Sequence, residues 1–141
     1  MTALEAEQRR SRRFGWSWLL LWATAGAALE TAHGFKLGLY LDDEVARTML
    51  RLGHAHGVGL SIVALLHGAL GAPLFADRAD GGRACGRLIR AAALLVPLGF
   101  ALSALGHPES DPGIAIFLVP PGAACLLAAL GWTALRAWRA P

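Results

Sequence analysis

Five residues of this chain stand out as candidate ligands of a transition metal. Glu30 and His33 are one helical turn apart and share a helix face. His54 and His56 begin a later apolar run, and His107 follows a third run. Imidazole suits Cu, Zn and Fe, and a carboxylate can complete a mixed ligand shell. The pattern predicts a metal site with the core ligands Glu30, His33 and His56. Either His54 or His107 would be the fourth ligand.

The alternative interpretation needs no metal. Glu30 would pair with His33 or Lys36, while His54 and His56 would bond to water or to lipid headgroups at a membrane boundary. Both interpretations place these side chains near one boundary, because they stand at the ends of apolar runs.

His67 is a separate candidate, for cofactor binding. It follows His56 by about three helical turns within the same apolar run. An imidazole buried there must form a hydrogen bond or ligate a cofactor. Haem b would need a second axial ligand, and the later runs offer no histidine at that depth. A haem would therefore require a symmetric dimer that supplies His67 twice.

The elements that must position these residues are four apolar runs. Each has the roughly 20 residues needed to cross a hydrocarbon core. None has the period-2 alternation of a barrel strand, so each is predicted to be a helix. Asp42 and Asp43 can cap an amphipathic lead-in from residue 42 to the second run. The predicted fold is an all-α integral membrane four-helix bundle in one domain, residues 1–141. The predicted helices cover about 14–36, 53–75, 87–106 and 113–136.

The composition agrees with a membrane protein. Of the 141 residues, 55% are hydrophobic and 16% charged, and the mean hydropathy is +0.48. Soluble domains carry about a quarter charged residues, so a water-soluble enzyme is disfavoured. The net charge of +3 comes from arginines near the ends of the runs, not from a basic face of the kind that binds nucleic acid. The expected partner is the lipid bilayer, and nucleic acid is not expected.

The basic residues also predict an orientation. With the N-terminus inside, the outer side holds only Lys36, Arg47 and Arg51. This bias predicts a multi-pass protein of a bacterial inner membrane, with both termini cytoplasmic and the Glu30 and His33 side periplasmic. The cytoplasmic side holds Arg9, Arg10, Arg12, Arg13, Arg78, Arg83, Arg87, Arg90, Arg136 and Arg139.

One short run carries a family resemblance. The sequence Arg-Leu-Gly-His-Ala-His-Gly at 51–57 resembles a helix start in bacterial membrane proteins related to haem-copper oxidase catalytic subunits. The resemblance implies haem or copper ligation by His54 or His56, and it covers little more than this run. As a whole, the chain resembles small bacterial four-helix inner-membrane proteins of unassigned function.

Three functions follow from these observations. The first is a small membrane protein with a periplasmic metal or haem site. The second is a non-catalytic accessory or assembly subunit of a larger membrane complex. The expected protein partner is accordingly a second copy of the chain or such a complex. The third is a subunit of an ion or proton pathway lined by Glu30 and His67. No nucleophile–base pair or phosphate-binding loop is present, so catalysis is not expected.

The first two helices are predicted to pack as antiparallel neighbours, because their connection is short and both carry small-residue faces. This contact would bring His33 near His56, with Glu30 slightly deeper and facing the second helix. His54 would face the outer loop or the headgroups, away from His56.

Overall fold

Residues 1–139, which this computed structural model describes, form four long helices joined by short connections. Every regular element in this part of the chain is helical, so the predicted all-α fold is confirmed. The helices are α1 (Ala3–Gly34), the short α2 (Gly38–Leu41), α3 (Glu44–Leu66), α4 (Ala79–Ser103) and α5 (Val119–Arg139). Beyond Leu66, α3 continues as a π turn (His67–Gly71) and a 3-10 turn (Ala72–Phe75), and another 3-10 turn (Ile114–Leu118) leads into α5.

Capping side chains explain where α1 and α3 begin. The Thr2 hydroxyl accepts the Glu5 backbone N–H, and the Glu5 carboxylate accepts the Thr2 backbone N–H. This reciprocal cap starts α1 well before the apolar run, so the arginine-rich segment is helical. Asp43 accepts the Ala46 backbone N–H at 2.8 Å, which starts α3 at Glu44 and confirms the predicted capped lead-in to the second run.

Within residues 1–139, three segments are long and apolar enough to cross a membrane: Glu44–Phe75, Ala79–Ser103 and Ile114–Arg139. The first predicted span, now part of α1, is not among them. Its run contains Glu30, His33 and three hydroxyl residues, which lower its mean hydropathy. The four-helix architecture holds, and α1 is the most polar of the four long helices in its predicted span.

The predicted antiparallel packing of α1 against the next long helix, α3, is confirmed. Contacting pairs run in opposite order along the two helices: Ser11 with Gly68, Trp22 with Gly57, and Gly26 with His54. At Gly57 a Cβ would collide with the Trp22 indole, so glycine permits this close approach. α3 also packs on α4, and α4 on α5, which places α3 and α4 at the centre.

The bundle has two distinct ends. The start of α1, the turn at residues 76–78 and the end of α5 form what we call the arginine-rich end. The connections at residues 35–43 and 104–113 form the loop end. At the arginine-rich end, Arg136 donates to the Leu74 carbonyl at 3.0 and 3.1 Å, with its guanidinium 5.6 Å from the centre of the Phe75 ring. These contacts tie α5 to the end of α3.

A proline inside α4 creates a tie between α1 and α4. Pro97 has no N–H, so the Ala93 carbonyl one turn earlier lacks its helical partner. The Trp18 indole N–H of α1 donates to that carbonyl at 2.8 Å. The helix defect in α4 thus becomes the acceptor for a hydrogen bond between helices.

This tie predicts a measurable coupling between Trp18 and Pro97. Trp18→Phe should lower the free energy of unfolding by about 1–3 kcal/mol, because it leaves the Ala93 carbonyl unpaired. In a Pro97→Ala background an alanine N–H can satisfy this carbonyl, so Trp18→Phe should cost less. Denaturant unfolding of the four proteins in detergent measures the coupling. Equal costs in both backgrounds would contradict this account.

Candidate functional site

A buried ion pair joins α1 to α4 near the arginine-rich end. The Glu7 side chain is 1% exposed and accepts from the Arg90 guanidinium at 2.5 and 3.4 Å. Ser11, one turn after Glu7, donates to the same carboxylate at 3.0 Å and accepts from Arg90 at 3.1 Å. The carboxylate therefore has three hydrogen bonds inside the bundle, which offset much of the cost of removing it from water.

Glycine on α4 makes room for this pair. A Cβ at Gly86 would collide with the Glu7 carboxylate, so a larger residue would push α1 away from α4. Arg90 is one turn after Gly86 and turns inward to the carboxylate, whereas the neighbouring Arg87 is exposed. The two arginines at the start of the third apolar run thus have different roles.

His67 is buried beside this pair without a hydrogen bond of its own. His67 is 4% exposed, and neither Nδ1 nor Nε2 has a hydrogen-bond partner among residues 1–139. The Gly82 carbonyl approaches the ring but does not meet hydrogen-bond geometry, and Glu7 and Arg90 lie within electrostatic range. An unpaired buried polar group costs about 1–3 kcal/mol, so this imidazole points to a ligand or a water.

Local backbone geometry widens the helix at this histidine. His67 begins the π turn, in which the Ala72 N–H bonds to the His67 carbonyl five residues earlier. A Cβ at Gly71 would be 2.8 Å from Nδ1, so glycine leaves space beside the ring. π turns cost helix stability and recur at functional sites.

The imidazole lines a cavity of about 220 Å³ between α3, α4 and α5. The Thr133 hydroxyl is the other polar side-chain group on its wall, and it is bonded to the Ala129 carbonyl. The rim leucines Leu66 and Leu70 are exposed on the surface of the bundle. The remaining wall residues are Val63, Gly71, Leu74, Ile89 and Leu130. The cavity is therefore an apolar recess with one imidazole inside.

A second, polar cavity of about 330 Å³ borders Glu7. It is lined by Glu7, Arg10, Asp80, Arg83 and Arg87. Arg83 pairs with Asp80, and both are exposed. Charged side chains thus line this cavity from the arginine-rich end to Glu7, which lies near His67.

The structure reverses the predicted orientations of His54 and His56. His54 faces α1: its ring lies against Gly26, and its Nδ1 is 2.8 Å from the Trp22 carbonyl. His56 faces α4, where its ring lies 5.0 Å from the Phe100 ring, and its Nδ1 bonds to the Leu52 carbonyl. The prediction that His56 faces α1 is therefore wrong. The two-residue spacing correctly predicts that the two rings point to different sides of the helix. It does not determine which of them faces α1.

The predicted metal ligands are not brought together. His33 is exposed, and Glu30 shares a groove between α1 and α3 with His54 but not with His56 or His107. Among residues 1–139, no three His, Cys, Asp or Glu side chains are grouped as a metal shell requires. His107 instead pairs with Asp43, Nε2 to Oδ2 at 2.8 Å. The expected cluster of Glu30, His33, His54, His56 and His107 is thus dispersed over several faces.

Haem does not fit the His67 cavity. The volume of about 220 Å³ is below the roughly 300–1,000 Å³ of sites for drug-sized ligands, and the wall offers no second axial ligand. Glu30 also lies outside this cavity, so Glu30 and His67 do not line a common path as predicted.

Sequence reasoning missed Glu7 and Ser11, because they precede the apolar run and lie among arginines. The available signal was their spacing: Glu7 and Ser11 are four residues apart on one helix face. Only the docking of α1 against α4 reveals that this face is buried.

No protein-family model, curated protein or solved structure matches this chain.

Removing one member of the ion pair should be worse than removing both. Glu7→Gln leaves the Arg90 charge largely buried and should cost about 3–5 kcal/mol of unfolding free energy. The double variant Glu7→Leu with Arg90→Met should cost less, because apolar side chains replace both charges. Unfolding in detergent tests this order, with exposed Glu109→Gln as the control. A double variant less stable than Glu7→Gln would contradict it.

The pair of Asp43 and His107 at the loop end should make stability depend on pH. The Pro108 carbonyl and the Asp43 carboxylate raise the pKa of His107 above its ordinary 6.5. The Ala46 backbone N–H, and then His107, lower the pKa of Asp43 below 3.8. The histidine contribution is complete below pH 6.5 and is lost as the pH rises through the raised pKa. The aspartate contribution is complete above pH 3.8 and is lost as the pH falls through the lowered pKa.

Both contributions are therefore complete between pH 3.8 and 6.5. His107→Gln should lower the Tm by only a few degrees at pH 5, because the pair is partly exposed. The loss should be smaller at pH 9, because His107 is then neutral in the wild-type protein. Melting curves across this range measure the difference. The same loss at pH 5 and pH 9 would contradict an ionic contribution.

Proposed function

We propose that this protein is a multi-pass membrane protein that binds a small, largely apolar molecule in the cavity at His67. The ligand carries an oxygen that forms a hydrogen bond with the imidazole. The observation that carries the proposal is the buried imidazole with two unpaired nitrogens on an otherwise apolar wall. Neither ring nitrogen is exposed, so a rotation of the side chain would bring one of them to a ligand oxygen and remove the cost of leaving it unpaired.

The wall limits the chemical class of the ligand. Leucine, isoleucine and valine side chains favour a hydrocarbon or ring surface, and one imidazole gives a single point of polar recognition. The small volume admits one or two rings, while a longer tail would extend past Leu66 and Leu70 into lipid. Lipid-soluble carbonyl compounds of the quinone type have this combination.

The membrane setting supports entry from the lipid side. In the proposed topology the arginine-rich end faces the cytoplasm, since basic residues favour that side. The exposed leucines at the cavity rim would then contact acyl chains, so an apolar ligand could reach the cavity without crossing water.

Proton transfer is a second candidate function. The charged cavity at Arg10, Asp80 and Arg87 adjoins Glu7, and Glu7 lies near His67. A proton could reach the imidazole from the arginine-rich end by way of the Asp80 and Glu7 carboxylates, because the arginines stay protonated and do not carry it. This path replaces the one predicted through Glu30, which lies at the loop end.

Two probes of similar shape test ligand binding. Menadione carries two carbonyl oxygens, whereas 2-methylnaphthalene keeps the two rings without them. The detergent-purified protein should bind menadione more tightly. His67→Phe should weaken menadione binding about tenfold, the value of one hydrogen bond, and leave 2-methylnaphthalene binding unchanged.

His56→Phe is the matched control, because it makes the same substitution at an exposed position of the same helix. Isothermal titration gives the affinities, and circular dichroism confirms that each variant keeps its helices. Equal affinity of the wild-type protein for the two probes would refute the proposal, as would unchanged menadione binding by His67→Phe.

A further inference from the structure

A groove of about 820 Å³ lies between α1 and α3, away from the His67 cavity. It contains two of the residues that first suggested a metal site, Glu30 and His54. No third metal-ligating side chain joins them among residues 1–139, so the groove needs a different explanation.

The polarity of the groove changes along the bundle axis. α1 and α3 are antiparallel, so Glu30 late in α1 and Arg51 early in α3 both lie toward the loop end. Leu19 and Val58 form the opposite end of the wall. Leu19 precedes Glu30 by about 16 Å along the helix, at about 1.5 Å per residue. The groove therefore has a polar head toward the loop end and an apolar channel toward the middle of the bundle.

The polar head offers one charge of each sign. Glu30 and Arg51 are both exposed, and neither pairs with another side chain among residues 1–139. The His54 Nδ1 donates to the Trp22 carbonyl. This hydrogen bond fixes the imidazole between the polar head and the apolar channel. A ligand with an ammonium group for Glu30 and a phosphate for Arg51 complements these charges.

We propose that this groove binds one phospholipid with a zwitterionic, amine-bearing headgroup. The ammonium group contacts the Glu30 carboxylate, the phosphate contacts the Arg51 guanidinium, and one acyl chain follows the wall toward Leu19. The axial order of polar and apolar residues matches a lipid whose headgroup lies at the loop end. This inference does not depend on a ligand at His67.

Native mass spectrometry of the detergent-purified protein tests the proposal. The probes are phosphatidylethanolamine and phosphatidylglycerol with identical acyl chains, since the second lipid has the phosphate but no amine. The wild-type protein should retain phosphatidylethanolamine about fivefold better. Glu30→Gln should abolish this preference, and Arg51→Gln should weaken retention of both lipids.

Two further variants separate the groove from general surface charge and from misfolding. The double variant Glu109→Gln with Arg139→Gln removes one charge of each sign at exposed positions outside the groove, and it should retain the preference. Ala23→Trp fills the exposed wall while keeping both charges, and it should reduce retention of both lipids. Equal retention of the two lipids by the wild-type protein would overturn the proposal. So would an unchanged preference in Glu30→Gln, or unchanged retention in Ala23→Trp.

Discussion

A buried carboxylate must be paired, and this requirement organises the arginine-rich end of the bundle. Glu7 is 1% exposed and receives hydrogen bonds from Arg90 and Ser11. These bonds require α1 to begin early enough to carry Glu7, and they require glycine at position 86. They also hold α1 against α4 near the level of His67, which follows α3.

The same requirement is not met at His67. Within residues 1–139, Glu7, Ser11 and Arg90 satisfy one another, whereas both nitrogens of the adjacent imidazole are unpaired. The π turn and Gly71 widen α3 at this residue at a cost to regular helix geometry. A distorted helix, an unpaired imidazole and an apolar recess are three observations at one place, and a ligand at His67 accounts for all of them.

α1 contributes to the buried ion pair and to the proposed lipid groove. Near its start it provides Glu7 and Ser11 to the buried cluster, and near its end it provides Glu30 to the groove with α3. Its predicted span is too polar for it to count among the three apolar segments. One of the side chains that lower its hydropathy is Glu30, which lines the groove with α3.

The sequence by itself determined the helical class and the antiparallel packing of the first two long helices. Apolar runs, small-residue faces and a short connection are local properties, and they need no knowledge of distant contacts. The sequence also identified His67 as exceptional, since a histidine deep in an apolar run is costly wherever it points.

Only the tertiary structure decided which side chains meet. A ring at His54 or His56 can face either neighbour at the same helical spacing, and the choice depends on where Gly26 and Phe100 are placed by packing. Glu7 and Arg90 are far apart in the chain, so no local pattern links them. Their pairing arises because docking α1 on α4 removes both from water, and the low dielectric makes separate burial far more costly than pairing.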